Sequence, residues 1–222
     1  MTESEWLSCA DPKPMLEHVR ANGIASERKL RLFACACCRR IWHLLTDHRS
    51  RMAVELSEHF ADDLASTEEL SASHDEAQDA IEVRHADHAD DAEFFAACAA
   101  HEAAYCQGTR GRAMDALIAA DETSDMATYT GIDAVDSKAQ ADLHRDIFNP
   151  FRSRTIEPAW LTPPVVSLAQ SIYDQRSFDL MPQLAELLEE AGCSDAGILG
   201  HCRSLAEHVR GCWVVDAVLG RA

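Results

Sequence analysis

Residues 26–45 read SERKLRLFACACCRRIWHLL, and this stretch decides the fold class. Leu30, Phe33, Ala34, Cys37, Ile41, Leu44 and Leu45 recur at steps of three and four, the spacing that lines up side chains on one face of an α-helix. Cys38 and Trp42 widen that apolar face, while Arg28, Arg31, Arg39 and Arg40 fall off it. Ser26 stands where a side-chain oxygen accepts a backbone N–H of the first turn. The pattern predicts a helix with a broad inner face, central to a core.

The flanking sequence repeats the helical signal. Thr2 with Glu5 three residues on makes a capping box for a short first helix through Leu7. Asp11 before Pro12 opens a second helix over 12–21, and Asn22-Gly23 supplies its left-handed stop. Met52, Leu56, Phe60 and Leu64 predict a fourth over 49–65, and Ser66 with Glu69 caps the next. From 67 to 107 the chain is rich in Ala, Asp, Glu and His, with Leu70, Ile81, Val83, Phe94, Phe95 and Tyr105 as its few large apolar groups. Such a stretch has helical propensity and little to bury. It reads as a long helix or hairpin projecting from the body and ending near Gly108. Helices near 111–121 and 132–147 follow, with a weak join over 122–131.

Asn149-Pro150-Phe151 ends that run, and Pro158, Pro163 and Pro164 punctuate a loop. Thr162 before Pro163 starts a helix carrying Val166, Leu168, Ala169, Ile172 and Tyr173. A helix over 181–191 stops at Gly192, Ser194 caps a short one to Arg203, and a last one runs over 205–219. No alternation of apolar and polar residues suggests a strand. The expectation is an all-α protein, a multi-helix bundle or orthogonal helical array with a long acidic, Ala-rich helical arm in the middle. We read 1–222 as a single helical domain: core helices in 1–66, the acidic insertion in 67–147, a Pro-rich loop in 148–163 and carboxyl-terminal core helices in 164–222.

The formal net charge is −18, unevenly spread: +1 over 1–60, −16 over 61–146 and −3 over 147–222. An acidic middle repels a phosphate backbone, which argues against nucleic acid and fits a protein partner, a basic one in particular. No apolar run approaches the ~20 residues needed to span a bilayer, so no membrane role is expected. The first residues carry two glutamates before the first lysine and lack the apolar centre of a secretory signal, which predicts a cytoplasmic setting. Nine cysteines, three of them in Cys35, Cys37 and Cys38 within an apolar helix, fit reduced, packed thiols better than a disulfide framework.

The most suggestive chemistry lies near the carboxyl end, where Cys193, His201, Cys202, His208 and Cys212 are all metal-ligand types. His208 and Cys212 lie four apart, one face of a helix, and His201 or Cys202 with Cys193 could close a tetrahedral N/S zinc site. We take Cys193, His201, His208 and Cys212 as the candidate metal ligands. The set lacks a Cys-x-x-Cys knuckle, and no cofactor is expected if these residues simply pack. His208, Cys212 and Asp216 also step by four, which raises a thiolate nucleophile with a base and an orienting carboxylate; a single helix offers such a trio no oxyanion hole. His85, Asp87, His88, Asp90, Asp91 and Glu93 form a polar run that a solvated acidic helix explains as well as a divalent cation does. Arg39-Arg40 beside Cys37-Cys38 would activate a thiol only if it were exposed. There is no phosphate-binding Gly-rich loop, no Gly-x-Ser-x-Gly elbow and no His-Glu-x-x-His.

Four stretches carry a resemblance: Glu5-Trp6-Leu7 with Asp11-Pro12 and Met15-Leu16; Arg28-Lys29-Leu30-Arg31-Leu32-Phe33 through Cys37-Cys38-Arg39-Arg40-Ile41-Trp42; Arg145-Asp146-Ile147-Phe148-Asn149-Pro150-Phe151-Arg152; and His208-Val209-Arg210-Gly211-Cys212-Trp213. In these the chain resembles a family of bacterial proteins, numerous as paralogues in planctomycetes, that has no assigned activity. It departs from the family at Phe148, where Gly is common, and at Ser204-Leu205-Ala206-Glu207, where the family carries a Gly-Pro loop. The resemblance implies a bacterial cytoplasmic protein whose two ends pack together, with 67–145 between them, and supplies no mechanism. The function expected from the residues is a non-enzymatic protein-interaction module. The alternatives are a zinc-binding structural or regulatory domain using the carboxyl-terminal Cys/His set, or an enzyme whose site the sequence does not reveal.

Overall fold

The computed structural model describes residues 1–88, 92–106, 112–129, 135–151 and 156–221, apart from the side chains of 84–88, 112–115, 117, 128, 135 and 136. Twelve α-helices and no strand occur among the described residues, so the all-α expectation is what the structure shows. No described helix is long and apolar enough to cross a membrane. The chain divides into two compact units, Met1–His144 and Arg145–Ala222.

In the first unit α1 (Glu3–Ser8) closes its capping box as read: Glu5 N–H donates to Thr2 Oγ1 at 3.3 Å and Thr2 N–H to Glu5 Oε2 at 2.7 Å. Asp11 caps α2 (Pro12–Ala21) and Ser26 caps α3 (Glu27–Arg40). Gly23, at φ 62°, turns the chain between them. The apolar pattern of α3 runs past its end, for residues 42–44 form a 3₁₀ turn. Every residue from Lys29 to Cys38 is buried, so α3 is enclosed on all sides. Around it stand α4 (His48–Ala61), α6 (Ala92–Ala103) and α7 (Arg112–Thr128), with α5 (Thr67–His88) packed on α4 and α6.

The Ala-rich middle therefore packs onto the body instead of projecting from it. Ala96, Ala97, Ala99, Ala100 and Ala103 of α6 and Ala116, Ala119, Ala120 and Ala127 of α7 are buried. Methyl-sized side chains let helix backbones approach closely, and many small contacts replace a few large ones. Thr123 Oγ1 donates to Ala99 O across that seam at 3.3 Å. The weak join over 122–131 falls partly inside α7, which is continuous through Thr128. The predicted end near Gly108 lies outside the described residues.

Arg31 is the largest fully buried side chain, although the sequence pattern set it off the inner face. Its guanidinium donates to Ala103 O and Tyr105 O, both at 3.2 Å, where α6 ends, and lies 5.0 Å from the centre of the Phe60 ring. Ser57 Oγ donates to the same Ala103 O at 2.6 Å. The exposed carbonyls of a helix C-terminus carry partial negative charge, so a buried cation is well placed there. Arg39 pairs bidentately with buried Glu58 at 3.1 and 2.9 Å, and Arg28 with Asp62 at 2.9 Å.

All nine cysteines are free thiols. Burial pushes Cys35 up to about 12 and Cys38 well above the ordinary thiol range, and the Arg39 charge does not offset it. These thiols pack; they are not activated.

The second unit begins at the end of α8 (Val135–Ile147) and contains α9 (Pro163–Gln175), α10 (Met181–Glu190), α11 (Ala196–Cys202) and α12 (Trp213–Leu219). Val165, Ala169, Ile172, Tyr173, Met181, Leu184, Leu188, Val214, Val215 and Val218 form its core. Asp195, one residue past the predicted Ser194, caps α11, accepting from Gly197 and Ile198 N–H at 2.7 and 3.1 Å. Of the predicted helix over 205–219, only Trp213–Leu219, about its last half, is helical. Gly211 sits at φ 92°, outside the helical region, and Val209 N–H donates to a side chain instead of continuing a helix. Residues 204–211 are a loop, tied to the end of α9 by Arg210, which donates to Tyr173 O and Asp174 O.

Candidate metal centre

Four side chains from four segments of the second unit converge: Asp146 near the end of α8, His201 in the last turn of α11, His208 in the 204–211 loop and Cys212 capping α12. One donor atom from each lies within 4.8 Å of every other. His208 Nδ1 is 2.6 Å from Asp146 Oδ1, His201 Nε2 is 3.1 Å from the same oxygen, and His201 Nε2 is 3.2 Å from Cys212 Sγ. Val209 N–H donates to the second carboxylate oxygen, Oδ2, at 2.9 Å. Asp146 and His208 are 3 and 4% exposed at the side chain, His201 is 16%, and Cys212 is fully buried.

Burial would raise the Asp146 carboxyl, but hydrogen bonds from His201 and His208 outweigh that and hold it at about 2. It is therefore an ionised acceptor. With Asp146 accepting, the His208 proton sits on Nδ1, and Nε2 is a buried lone pair without a hydrogen-bond partner. On the other ring, Trp213 Nε1–H donates to His201 Nδ1 at 3.1 Å. An indole N–H can only donate, so the single proton of the His201 ring is on Nε2, facing Asp146 and Cys212. Burial raises the Cys212 thiol well above its ordinary range.

This proton placement does not suit a thiol nucleophile paired with His201. A Cys–His nucleophile needs the histidine to accept the thiol proton, and here His201 Nε2 presents a proton of its own. Nor do His208, Cys212 and Asp216 form a helical stripe, because His208 is in the loop.

Of the four ligands read from the sequence, His201, His208 and Cys212 are brought together. Cys193 is not among them. It lies buried in the apolar core beside α10, its N–H bonded to Leu188 O, and Asp146 stands as the fourth group. Cys202 also belongs to that core, its thiol pushed up to about 12 by burial. Asp146 was missed because it is one acidic residue in an acidic region and 62 residues from His208. A signal existed: Asp146 lies in one of the four resembling stretches and His208 and Cys212 in another. Of the polar run from 85 to 93, the side chains of His85, Asp87 and His88 and the residues Asp90 and Asp91 lie outside the described set. Glu93 accepts from Thr46 Oγ1 at 3.1 Å.

Bond lengths of about 2.0–2.3 Å to nitrogen, oxygen and sulfur give tetrahedral ligand-to-ligand edges of roughly 3.3–3.6 Å. The 3.1 and 3.2 Å separations around His201 are close to that. The 2.6 Å separation of His208 from Asp146 is a hydrogen bond, and the pair must part slightly to share an ion. No protein-family model, no curated protein and no solved structure matches the chain.

Proposed function

We propose that residues 145–222 form a zinc-binding structural or regulatory module of a bacterial cytoplasmic protein, with Asp146, His201, His208 and Cys212 holding one ion. The observation that supports it is the convergence of four donor side chains from separate segments into one buried cluster. A mixed set of imidazole, thiolate and carboxylate suits Zn²⁺ better than Mg²⁺ or Ca²⁺, which prefer oxygen alone. Four protein ligands leave no open position for a substrate, which favours a structural ion. Its effect is to pin the 204–211 loop to the ends of α8 and α11. The expected result is about one zinc per chain in protein purified without a chelating tag, and a melting temperature about 10 °C or more lower after chelation. Cys212→Ser loses the metal in the same assay. A zinc-free protein that cannot be reloaded, with a melt indifferent to chelator, overturns the reading.

A second reading, a protein-interaction module for a basic partner, draws support from α5. Its exposed side carries Glu68, Glu69, Asp75, Glu76, Asp79 and Glu82. Binding of a basic protein through that side weakens with added salt, and retention unchanged between low and high salt counts against it.

A further inference from the structure

The hydrogen bond from Trp213 to His201 bears on how this centre loads, on the reading that it binds zinc. A neutral imidazole has one N–H and one lone pair. With Trp213 Nε1–H donating to Nδ1 at 3.1 Å, the lone pair is spent on the indole, and Nε2, the nitrogen beside Asp146 and Cys212, is protonated. In that tautomer His201 cannot ligate through Nε2. We infer that Trp213 gates metal uptake: its indole holds His201 in the non-ligating tautomer, and an incoming zinc ion has to displace that hydrogen bond.

The His201 Nε2 proton leaves to water, the Nε2 lone pair forms the bond to zinc, and Nδ1 takes a proton from water, so the ring remains neutral. His208 makes the same exchange, its Nδ1 proton leaving to water and Nε2 taking one as Nδ1 binds, and Cys212 releases its thiol proton to solvent as the thiolate binds. Two donors, His201 Nδ1–H and the indole N–H, then oppose each other, and one ring must turn away. Trp213 is the first residue of α12 and lies against His201 at 5.0 Å between ring centres, so its movement is transmitted directly into that helix. Metal-ligating histidines ordinarily donate their second N–H to a carboxylate or carbonyl, which raises affinity. Here the neighbour is a donor, and it opposes binding.

That difference in sign makes the test. Zinc affinity is measured by competition with a chromophoric chelator in the full chain and in Trp213→Phe. Loss of an opposing hydrogen bond gives about five- to tenfold tighter binding in the variant at unchanged stoichiometry. Unchanged or weaker affinity, as for a ring that merely orients His201, overturns the gate while leaving the zinc reading intact. Wild-type protein that takes up no zinc overturns both. If Trp213→Phe does not fold, ¹⁵N NMR of histidine-labelled wild-type protein decides: the His201 proton is expected on Nε2 before zinc and on Nδ1 after it, and a proton on the same nitrogen in both states refutes the gate.

Discussion

Asp146→Ala lowers the stability of the second unit by about 3–5 kcal/mol in metal-free buffer. The side chain accepts from His208 Nδ1–H, Val209 N–H and His201 Nε2–H in a site from which water is largely excluded. Alanine leaves the His208 and Val209 donors buried and unanswered and His201 Nε2–H with only the Cys212 sulfur at 3.2 Å, and an unsatisfied buried donor costs its full desolvation penalty. Urea denaturation of the full chain, followed by Trp fluorescence with chelator present, separates this cost from any metal effect. A loss below about 1 kcal/mol shows that the three donors find other acceptors. Asp146→Asn retains one carbonyl acceptor but turns an amide toward a second donor, and falls between the two. Acid tests the same group. Its native value of about 2 lies below the ordinary 3.8, so its stabilisation is fully present above about pH 4 and is lost as pH falls toward 2. Linkage puts that loss at about 2 kcal/mol, and Asp146→Asn flattens the profile over this interval.

Arg31→Ala is expected to cost the first unit about 3–4 kcal/mol. The guanidinium holds two carbonyls at the end of α6 and covers Phe60, so its removal strips the Tyr105 carbonyl of a charged donor and opens a cavity beside α3. Arg31→Lys is a poor rescue, because one ammonium cannot reproduce a planar fork reaching two separate carbonyls. Thermal melts of the two variants check both statements; a lysine variant as stable as wild type refutes the need for the fork.

What could be read from the sequence follows the range of the interactions. Caps are formed within three residues, and Thr2–Glu5, Asp11, Ser26 and Ser66–Glu69 stand where they were read. The all-α class follows from such local signals and from the period of α3. Long-range features gave no comparable signal. Alanines look like exposed helix formers until another helix is found against them, and Arg31 looks like a solvated charge until the end of α6 supplies its acceptors. The 205–219 stretch has helical periodicity, yet Gly211 and a hydrogen bond from Val209 to a carboxylate 63 positions earlier divert it. Three of the four converging residues were legible as ligand types in one neighbourhood; the fourth depended on tertiary structure, and Cys193 shared their chemistry without their location.

The buried thiols also make the protein its own clock. Cys9 and Cys98 are partly exposed, whereas Cys35, Cys37, Cys38 and Cys106 in the first unit and Cys193, Cys202 and Cys212 in the second are buried. An alkylating reagent reaches a sealed sulfur only during an opening that exposes it, so the labelling rate reports how often that opening occurs. The two sets lie in different units, and a single time course read by peptide mass therefore times the opening of each separately, without a denaturant or an added probe.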